Sequence, residues 1–300
     1  MSSRSDGPGR VESHRDLVGR LFPELHLTDF ELIERGWTCH TYRVDGSWIV
    51  QLPRTSYAEE RLLRQIEVLP ELEREISVAV PMPELVSLDP VCMGYRAIEG
   101  VPCDAATGDG MWPERLGRCL YDLHMVPPEF LGMRASSAEA VRDSRRAEWV
   151  RLRDLAEPHL ERVDALQASA TIDAMFDDDA TWRFATCVTH GDLGPEHVLV
   201  TPSGDLAGVL DWEEAGVGDS AWDFAWWLQA SPLVGERALA AYGGIPDAGF
   251  MTRAALSFVL MPLHDLEHGV DAGKPDLVAS GAGGFLHRAK ALGEQREPGL

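Results

Sequence analysis

The chain has 300 residues, 45% of them hydrophobic, enough for one domain or two closely packed lobes and too much for a small binding module. Its formal net charge of −22 argues against a nucleic-acid partner, whose affinity comes from Lys and Arg contacts to phosphate; it is compatible with a cationic substrate, and acidity also serves solubility. No apolar run is long enough to cross a membrane, the start is polar, and the five cysteines (Cys39, Cys92, Cys103, Cys119, Cys187) are scattered and odd in number, which speaks against a disulfide framework or zinc site and fits a reducing cytoplasm.

In chain order, residues 1–14 read as a disordered lead-in. Residues 15–98 read as a small β-rich lobe. Its strand-like runs are Phe30 to Glu34, Thr41 to Val44 and Trp48 to Leu52, with Asp45-Gly46 as the hairpin turn between the last two. Tyr57 to Ile76 carries Leu62, Leu63, Ile66, Leu69 and Leu72 at helical spacing, interrupted by Pro70; Glu84 to Leu88 and Cys92 to Ile98 complete the sheet. Glu99-Gly100-Val101-Pro102 breaks the pattern as a hinge. Residues 99–300 then read as mainly helical: 114–124, 138–166, 221–228, 236–242, 250–268 and 284–293. A β-rich lobe hinged to a helical lobe is an α+β arrangement with a cleft between the two, where ligands sit.

The chemistry is concentrated between residues 190 and 223. His190-Gly191-Asp192 is followed by two β-type runs, Glu196 to Val200 and Leu206 to Leu210, joined by the turn Thr201-Pro202-Ser203-Gly204-Asp205, and then by Asp211-Trp212-Glu213-Glu214. A hairpin there brings two carboxylates together. Asp192 is placed to accept the proton of an attacking hydroxyl, and Asp211 to hold Mg²⁺ against nucleotide phosphates.

These residues resemble the antibiotic phosphotransferases, especially aminoglycoside 2''- and macrolide 2'-kinases, whose fold is the two-lobed protein-kinase-like one. The resemblance rests on His190-x-Asp192 with a ligand position at 197, on Asp211-Trp212-Glu213-Glu214-Ala215 and on Gly218-Asp219-Ser220-Ala221-Trp222-Asp223, and runs from about Phe30 to Leu228. It implies Asp192 as catalytic base, His197 and Asp211 at the nucleotide-bound Mg²⁺, and His190, Asp219 and Asp223 as structural support of the catalytic loop. His197 stands where most of the superfamily has Asn; it either binds the ion through nitrogen or orients Asp192 or a water. Gly36 to Thr41 resembles the loop over the phosphates, with a hydroxyl from Thr38 or Thr41, and the segment from Met93 to Gly100 resembles the base-binding hinge, with main-chain contacts near Arg96 and Ile98. Such backbone contacts leave GTP and ATP both open as phosphoryl donor.

Gln51 is a departure: it occupies the place of the family's phosphate-binding Lys, and in the best register Gln65 occupies that of the helix Glu paired with it. Two amides in place of an ion pair would keep a hydrogen-bonding contact with no unpaired charge, leaving Arg54, Arg43 or the metal to compensate. The aromatic residues Trp212, Trp222, Phe224, Trp226 and Trp227 have the spacing of core packing, and Trp212, next to the metal-ligand candidate, is the one that could instead stack on a substrate ring; Glu213 and Glu214 lie where an acceptor would approach and could bind an ammonium, a solvated loop being the alternative. His264, Asp265, Glu267 and His268 scatter over two faces of a helix, which argues against a second metal site. Asp177 to Asp179 reads as a helix start or a solvated loop.

The expectation is therefore a cytoplasmic, Mg²⁺-dependent kinase using GTP or ATP on a small-molecule hydroxyl, an aminoglycoside, macrolide or nucleoside antibiotic. The alternatives are a metabolic kinase for an amino alcohol or sugar, and a nucleotide-binding pseudokinase, which only Gln51 and Gln65 support.

Overall fold

The computed structural model describes residues 8–33 and 37–296. Helix α1 (Pro8–Leu21) is followed by strands β1 (Phe30–Ile33), β2 (Cys39–Val44) and β3 (Trp48–Pro53), helix α2 (Ser56–Glu75), and strands β4 (Leu85–Leu88) and β5 (Val91–Arg96). The five strands form one antiparallel sheet in the order β1-β2-β3-β5-β4. Asp45 and Gly46 turn the β2–β3 hairpin with φ of 48° and 69°, a left-handed pair suited to a two-residue loop. The Asp45 carboxylate is also an anchor: it accepts from the backbone N–H groups of His26, Leu27 and Thr28 and from the Thr28 hydroxyl.

Alternation sorts the sheet's side chains onto two faces. Tyr42, Val44, Val50 and Leu52 pack with Val18 of α1 and with Phe22 just after it, while Ile49, Met93 and Tyr95 pack with Leu62 and Leu69 of α2. The α1 helix begins inside the segment expected to be a disordered lead-in; its buried apolar residues give it a tertiary reason to order. The α2 helix runs through Pro70 without ending, capped at its start by the Thr55 hydroxyl accepting from the Ala58 N–H.

Past residue 96, the hinge is itself structured. Strand β6 (Val101–Pro102) continues from it, followed by α3 (Trp112–Met125), α4 (Ala138–Ala156), α5 (Arg162–Asp177), β7 (Cys187–Thr189), β8 (Val198–Val200), β9 (Leu206–Val209) and β10 (Gly216–Gly218). Helices α6 (Ser220–Asp223), α7 (Ala225–Ala230), α8 (Pro232–Ala241), α9 (Phe250–Ala272) and α10 (Pro275–Arg296) complete the lobe. β6 pairs with β8, which pairs with β9; β7 pairs with β10. The single long helix expected over 138–166 is divided, with a short 3₁₀ turn at Glu157–His159 separating α4 from α5; Pro158 has no N–H with which to continue the ladder. The Asp177 to Asp179 run ends α5 rather than starting a helix, and Asp178 accepts from the Ala180 N–H and the Thr181 hydroxyl.

Candidate active site

Two loops meet at the centre of the chain. The first leaves β7 as His190-Gly191-Asp192. The buried Asp223 carboxylate accepts from the backbone N–H of His190 and of Gly191, each at 2.9 Å, and from His124 Nε2 at 3.0 Å. Gly191 has φ +88°, and a Cβ there would stand 2.6 Å from the Glu214 carbonyl oxygen, so the position demands glycine. His190 donates from Nε2 to the Leu210 carbonyl at 2.9 Å, and its Nδ1 accepts from the Asp192 N–H at 3.3 Å. Burial holds this imidazole below its ordinary pKa, against the charge of Asp223 and the bond to Leu210, so a neutral ring links one loop to the other.

The second loop begins where β9 ends. Asp211 has φ 64° and ψ 64°, a left-handed conformation uncommon for a residue with a side chain and one that active sites retain. Leu210 donates its N–H to the His197 carbonyl at 2.8 Å. His197 Nδ1 bonds the Asp192 carbonyl at 2.7 Å, and Nε2 lies 3.5 Å from Asp211 Oδ2. Burial alone would lower the His197 pKa; Asp211, the Asp192 carbonyl and the Asp192 charge outweigh it and raise it. With Nδ1 committed as donor, Nε2 is the nitrogen that faces Asp211, as an N–H in the charged ring and as a lone pair for a cation between the two in the neutral one. The Asp192 side chain itself is exposed.

Among the described residues no three His, Cys, Asp or Glu side chains form a closed metal cage. One carboxylate and one imidazole nitrogen fit an ion that takes its remaining ligands from water and phosphate oxygens, as Mg²⁺ does beside nucleotides.

The other predicted residues divide. Thr38 hydrogen-bonds the Glu213 carboxyl, so the phosphate-loop candidate touches the metal-loop candidate; Gly36 lies outside the described residues. Gln51 shares the α2-facing side of the sheet with Ile49, but its amide oxygen is buried without a partner, and no hydrogen bond to Gln65 exists among the described residues. The amide pair expected there is not made. Arg54 bonds the Cys39 carbonyl and Arg43 the Gly46 carbonyl, so both guanidinium groups serve backbone oxygens. At the hinge, Arg96 stacks outward on Trp48 at 3.8 Å, and a Cβ at Gly208 would lie 2.8 Å from the Ile98 side chain. Asp219 caps α6 through the Ala221 N–H and binds Arg253, not His190; loop support comes from Asp223.

The three residues expected at the acceptor differ in their surroundings. Trp212 is 3% exposed, donates its indole N–H to the Val209 carbonyl and lies 4.6 Å from the His190 ring, so it is a core residue that backs the loop. Glu214 is paired with Arg61 of α2 at 2.7 Å. Glu213 points at Thr38 and Asp211: burial first, then the Asp211 charge, pushes its carboxyl up to about 7, while Thr38 and Arg61 oppose the rise.

Sequence reasoning missed Arg61, His124 and Arg253, whose bonds to Glu213, Asp223 and Asp219 span 152, 99 and 34 positions. It placed His264, Asp265, Glu267 and His268 on two helix faces, and they diverge: His264 approaches Glu148, Glu267 pairs with Arg151, and His268 stacks on Trp37 with ring centroids 3.8 Å apart. Burial raises the Asp265 carboxyl, His264, Arg288 and His268 lower it, and Asp192 raises it, so this α9 residue is within electrostatic reach of Asp192.

A β-rich lobe hinged to a helical one, with His190-x-Asp192 and Asp211 on adjoining loops, defines the kinase-like class. Residues 29–255 match the model of the APH phosphotransferase enzyme family, and the chain belongs to that family. The chain is 26% identical over 307 aligned residues to the viomycin phosphotransferase of Streptomyces vinaceus, spanning 92% of this chain and 99% of that protein. It is 27% identical over 200 residues to the uncharacterized protein YcbJ of Bacillus subtilis, a match that spans 59% of this chain and 61% of the length of that relative. Among solved structures, the GDP and kanamycin complex of APH(2")-IIia superposes with a TM-score of 0.82 at 19% identity, over 93% of this chain and 98% of that one. The macrolide 2'-phosphotransferase MphH of Brachybacterium faecium superposes with a TM-score of 0.73 at 25% identity, over 96% of this chain and 99% of that one.

Proposed function

We propose that the protein transfers the γ-phosphoryl group of GTP or ATP, in a Mg²⁺-dependent reaction, to a hydroxyl of a small-molecule antibiotic and thereby inactivates it. The observation that carries this reading is the linkage of Asp192 to Asp211: one imidazole, His197, bonds the Asp192 carbonyl at 2.7 Å and stands 3.5 Å from the Asp211 carboxylate. An exposed carboxylate on one loop and a metal-facing carboxylate on the other, held in register, is what phosphoryl transfer requires.

Asp192 accepts the proton of the acceptor hydroxyl as the hydroxyl oxygen bonds to the γ-phosphorus; the bond from phosphorus to the β–γ bridging oxygen breaks, and the nucleoside diphosphate leaves with that electron pair. Asp211 and His197 Nε2 would hold the ion, whose chemistry is to neutralise charge on the phosphates. The Thr38 hydroxyl and the loop around it serve the phosphates. The Ile98 amide, which has no backbone acceptor among the described residues, serves the nucleotide base together with the Arg96 carbonyl. His190, Asp219 and Asp223 act on the loop and not on the substrate.

The acceptor reading draws on the relatives, whose names cover viomycin and macrolides, and on a net charge of −22, which favours a cationic acceptor. The five free cysteines support a reducing, cytoplasmic setting, and no helix among the described residues is long and apolar enough to cross a membrane. The test is mass spectrometry of a panel containing viomycin, aminoglycosides, macrolides and nucleoside antibiotics after incubation with the protein, Mg²⁺ and either GTP or ATP. Gain of one phosphoryl group, lost in Asp192→Asn, supports the proposal and identifies acceptor and donor together. No gain with any acceptor refutes the antibiotic reading.

A further inference from the structure

We infer that Arg61 on α2 is a positioning residue that holds the metal-bearing loop in place, making between helix and loop the tie that Gln51 and Gln65 do not make between strand and helix. The inference rests on the reading that Asp211 binds the nucleotide-associated Mg²⁺.

Three observations carry it. First, the Arg61 guanidinium reaches across 152 positions of sequence to donate from Nη1 to the Glu213 carbonyl at 2.6 Å and to meet Glu214 Oε2 at 2.7 Å. These are the second and third residues after Asp211. A cation that binds both a main-chain oxygen and the next side chain fixes the path of the chain, which a side-chain pair alone does not. Second, the guanidinium is itself held. It lies over the Tyr57 ring at 4.8 Å from the centroid and donates to the Tyr57 hydroxyl, one helical turn back. The geometry is thus set by α2 before the loop arrives.

Third, the loop needs holding. Asp211 sits at φ 64° and ψ 64°, a conformation that persists only where its surroundings enforce it. The Glu214 carbonyl also packs so close to Gly191, the residue before Asp192, that a Cβ there would stand 2.6 Å from it. Behind the loop, Arg61, Tyr57, Glu214, Ala215 and Gly216 line a cavity of about 440 Å³, which gives residues 213–216 room to relax once the guanidinium is gone. Loss of Arg61 therefore releases Asp211 from the α2 side while the catalytic loop, bonded to Asp223, stays fixed.

The experiment measures binding of fluorescent mant-GTP and mant-ATP to the full chain, in EDTA and in Mg²⁺, for wild type, Asp211→Asn, Arg61→Ala, Arg61→Lys and Glu214→Gln, with thermal melting to confirm folding. The expected result is that Arg61→Ala removes about tenfold from the Mg²⁺-dependent gain in affinity. Arg61→Lys recovers part of that loss, and Glu214→Gln falls between wild type and Arg61→Ala. A merely structural ion pair would lower the melting temperature and leave the ratio of Mg²⁺ to EDTA affinities unchanged. If Asp211→Asn loses that gain and Arg61→Ala keeps it, Arg61 does not position the loop and the inference is overturned with the metal assignment intact. If Asp211→Asn keeps the gain, the metal assignment fails first and the inference with it. If Arg61→Ala does not fold, Glu214→Gln and Arg61→Lys decide, and wild-type gains in both overturn the proposal.

Discussion

Replacing Arg253 with Met tests how the catalytic loop is supported from below. Arg253 is fully buried on α9 and makes five hydrogen bonds: 2.6 Å and 3.1 Å to Asp219, 2.8 Å and 2.7 Å to Asp247, and 2.6 Å to the Thr181 carbonyl. Asp219 is itself buried and caps α6, the short helix that ends at Asp223, the carboxylate on which the His190 and Gly191 amides hang. Met matches the volume of the stem but leaves Asp219 as a buried carboxylate without its cation. Breaking one side of such a pair costs about 3–5 kcal/mol, because the stranded charge keeps its desolvation penalty. Against a total stability of roughly 5–15 kcal/mol, that is about a fifth of the margin or more.

The assay is urea unfolding followed by tryptophan fluorescence, with the m-value checked so that the midpoint shift reads as stability alone. In a cycle with Asp219→Asn, the double variant should lie well short of the sum of the single losses, since removing both charges leaves no stranded carboxylate at position 219 and only the part-exposed Asp247 loses its cation. A loss below about 1 kcal/mol for Arg253→Met, or additivity in the cycle, would refute the reasoning by showing that water satisfies Asp219 unaided.

Two further outcomes follow from the site. The Glu213 carboxyl, pushed up to about 7 from an ordinary 4.5, is bound by its proton more tightly in the folded chain, so wild-type stability is undiminished below pH 4.5 and falls as pH rises toward 7. The full shift corresponds to about 3 kcal/mol, and partial exposure of the group reduces it to about 1–2 kcal/mol; Glu213→Gln in EDTA should remove that slope, and a wild-type-like pH profile of urea midpoints would sink the idea. His197→Asn keeps a polar side chain but replaces nitrogen with oxygen toward Asp211, so the ratio of Mn²⁺-supported to Mg²⁺-supported kcat/KM should fall several-fold. An unchanged ratio would show that His197 acts only by holding Asp192.

What the sequence made legible was whatever depends on neighbours in the chain. The β2–β3 hairpin was readable because Asp45-Gly46 is a local turn signal, and the adjoining of Asp192 and Asp211 because only one hairpin separates them. Three-residue strands such as β7 and β10 are too short to show alternation, yet their pairing sets the catalytic loop against Gly216. The α1 helix was hidden because its apolar positions find their partners only once the sheet presents Tyr42, Val44 and Val50. Trp212 is open from the sequence to core packing and to ring stacking; its indole N–H is satisfied three residues back by the Val209 carbonyl, which turns the ring inward. The pairing of Glu214 is not legible, since its cation comes from a distant helix and no local pattern announces it.

The distribution of charge around the two loops then explains how an acidic chain accommodates a polyanionic nucleotide. Asp211, Glu213 and Glu214 lie within three positions, His197 ties the Asp192 loop to Asp211, and Arg61, a cation the fold brings to this region, is spent on the Glu213 carbonyl and Glu214. Gln51 adds no charge, and Arg43 and Arg54 are turned to backbone carbonyls. Among the described residues these side chains leave the phosphates little positive charge, so on the proposed reading a metal ion arriving with the nucleotide would supply it and would relieve the repulsion between Asp211 and Glu213. On this account metal dependence is stronger here than where a lysine shares the load. Gln51→Lys should accordingly weaken the dependence of nucleotide affinity on Mg²⁺, whereas an unaltered dependence would mean that the Gln51 position does not face the phosphates.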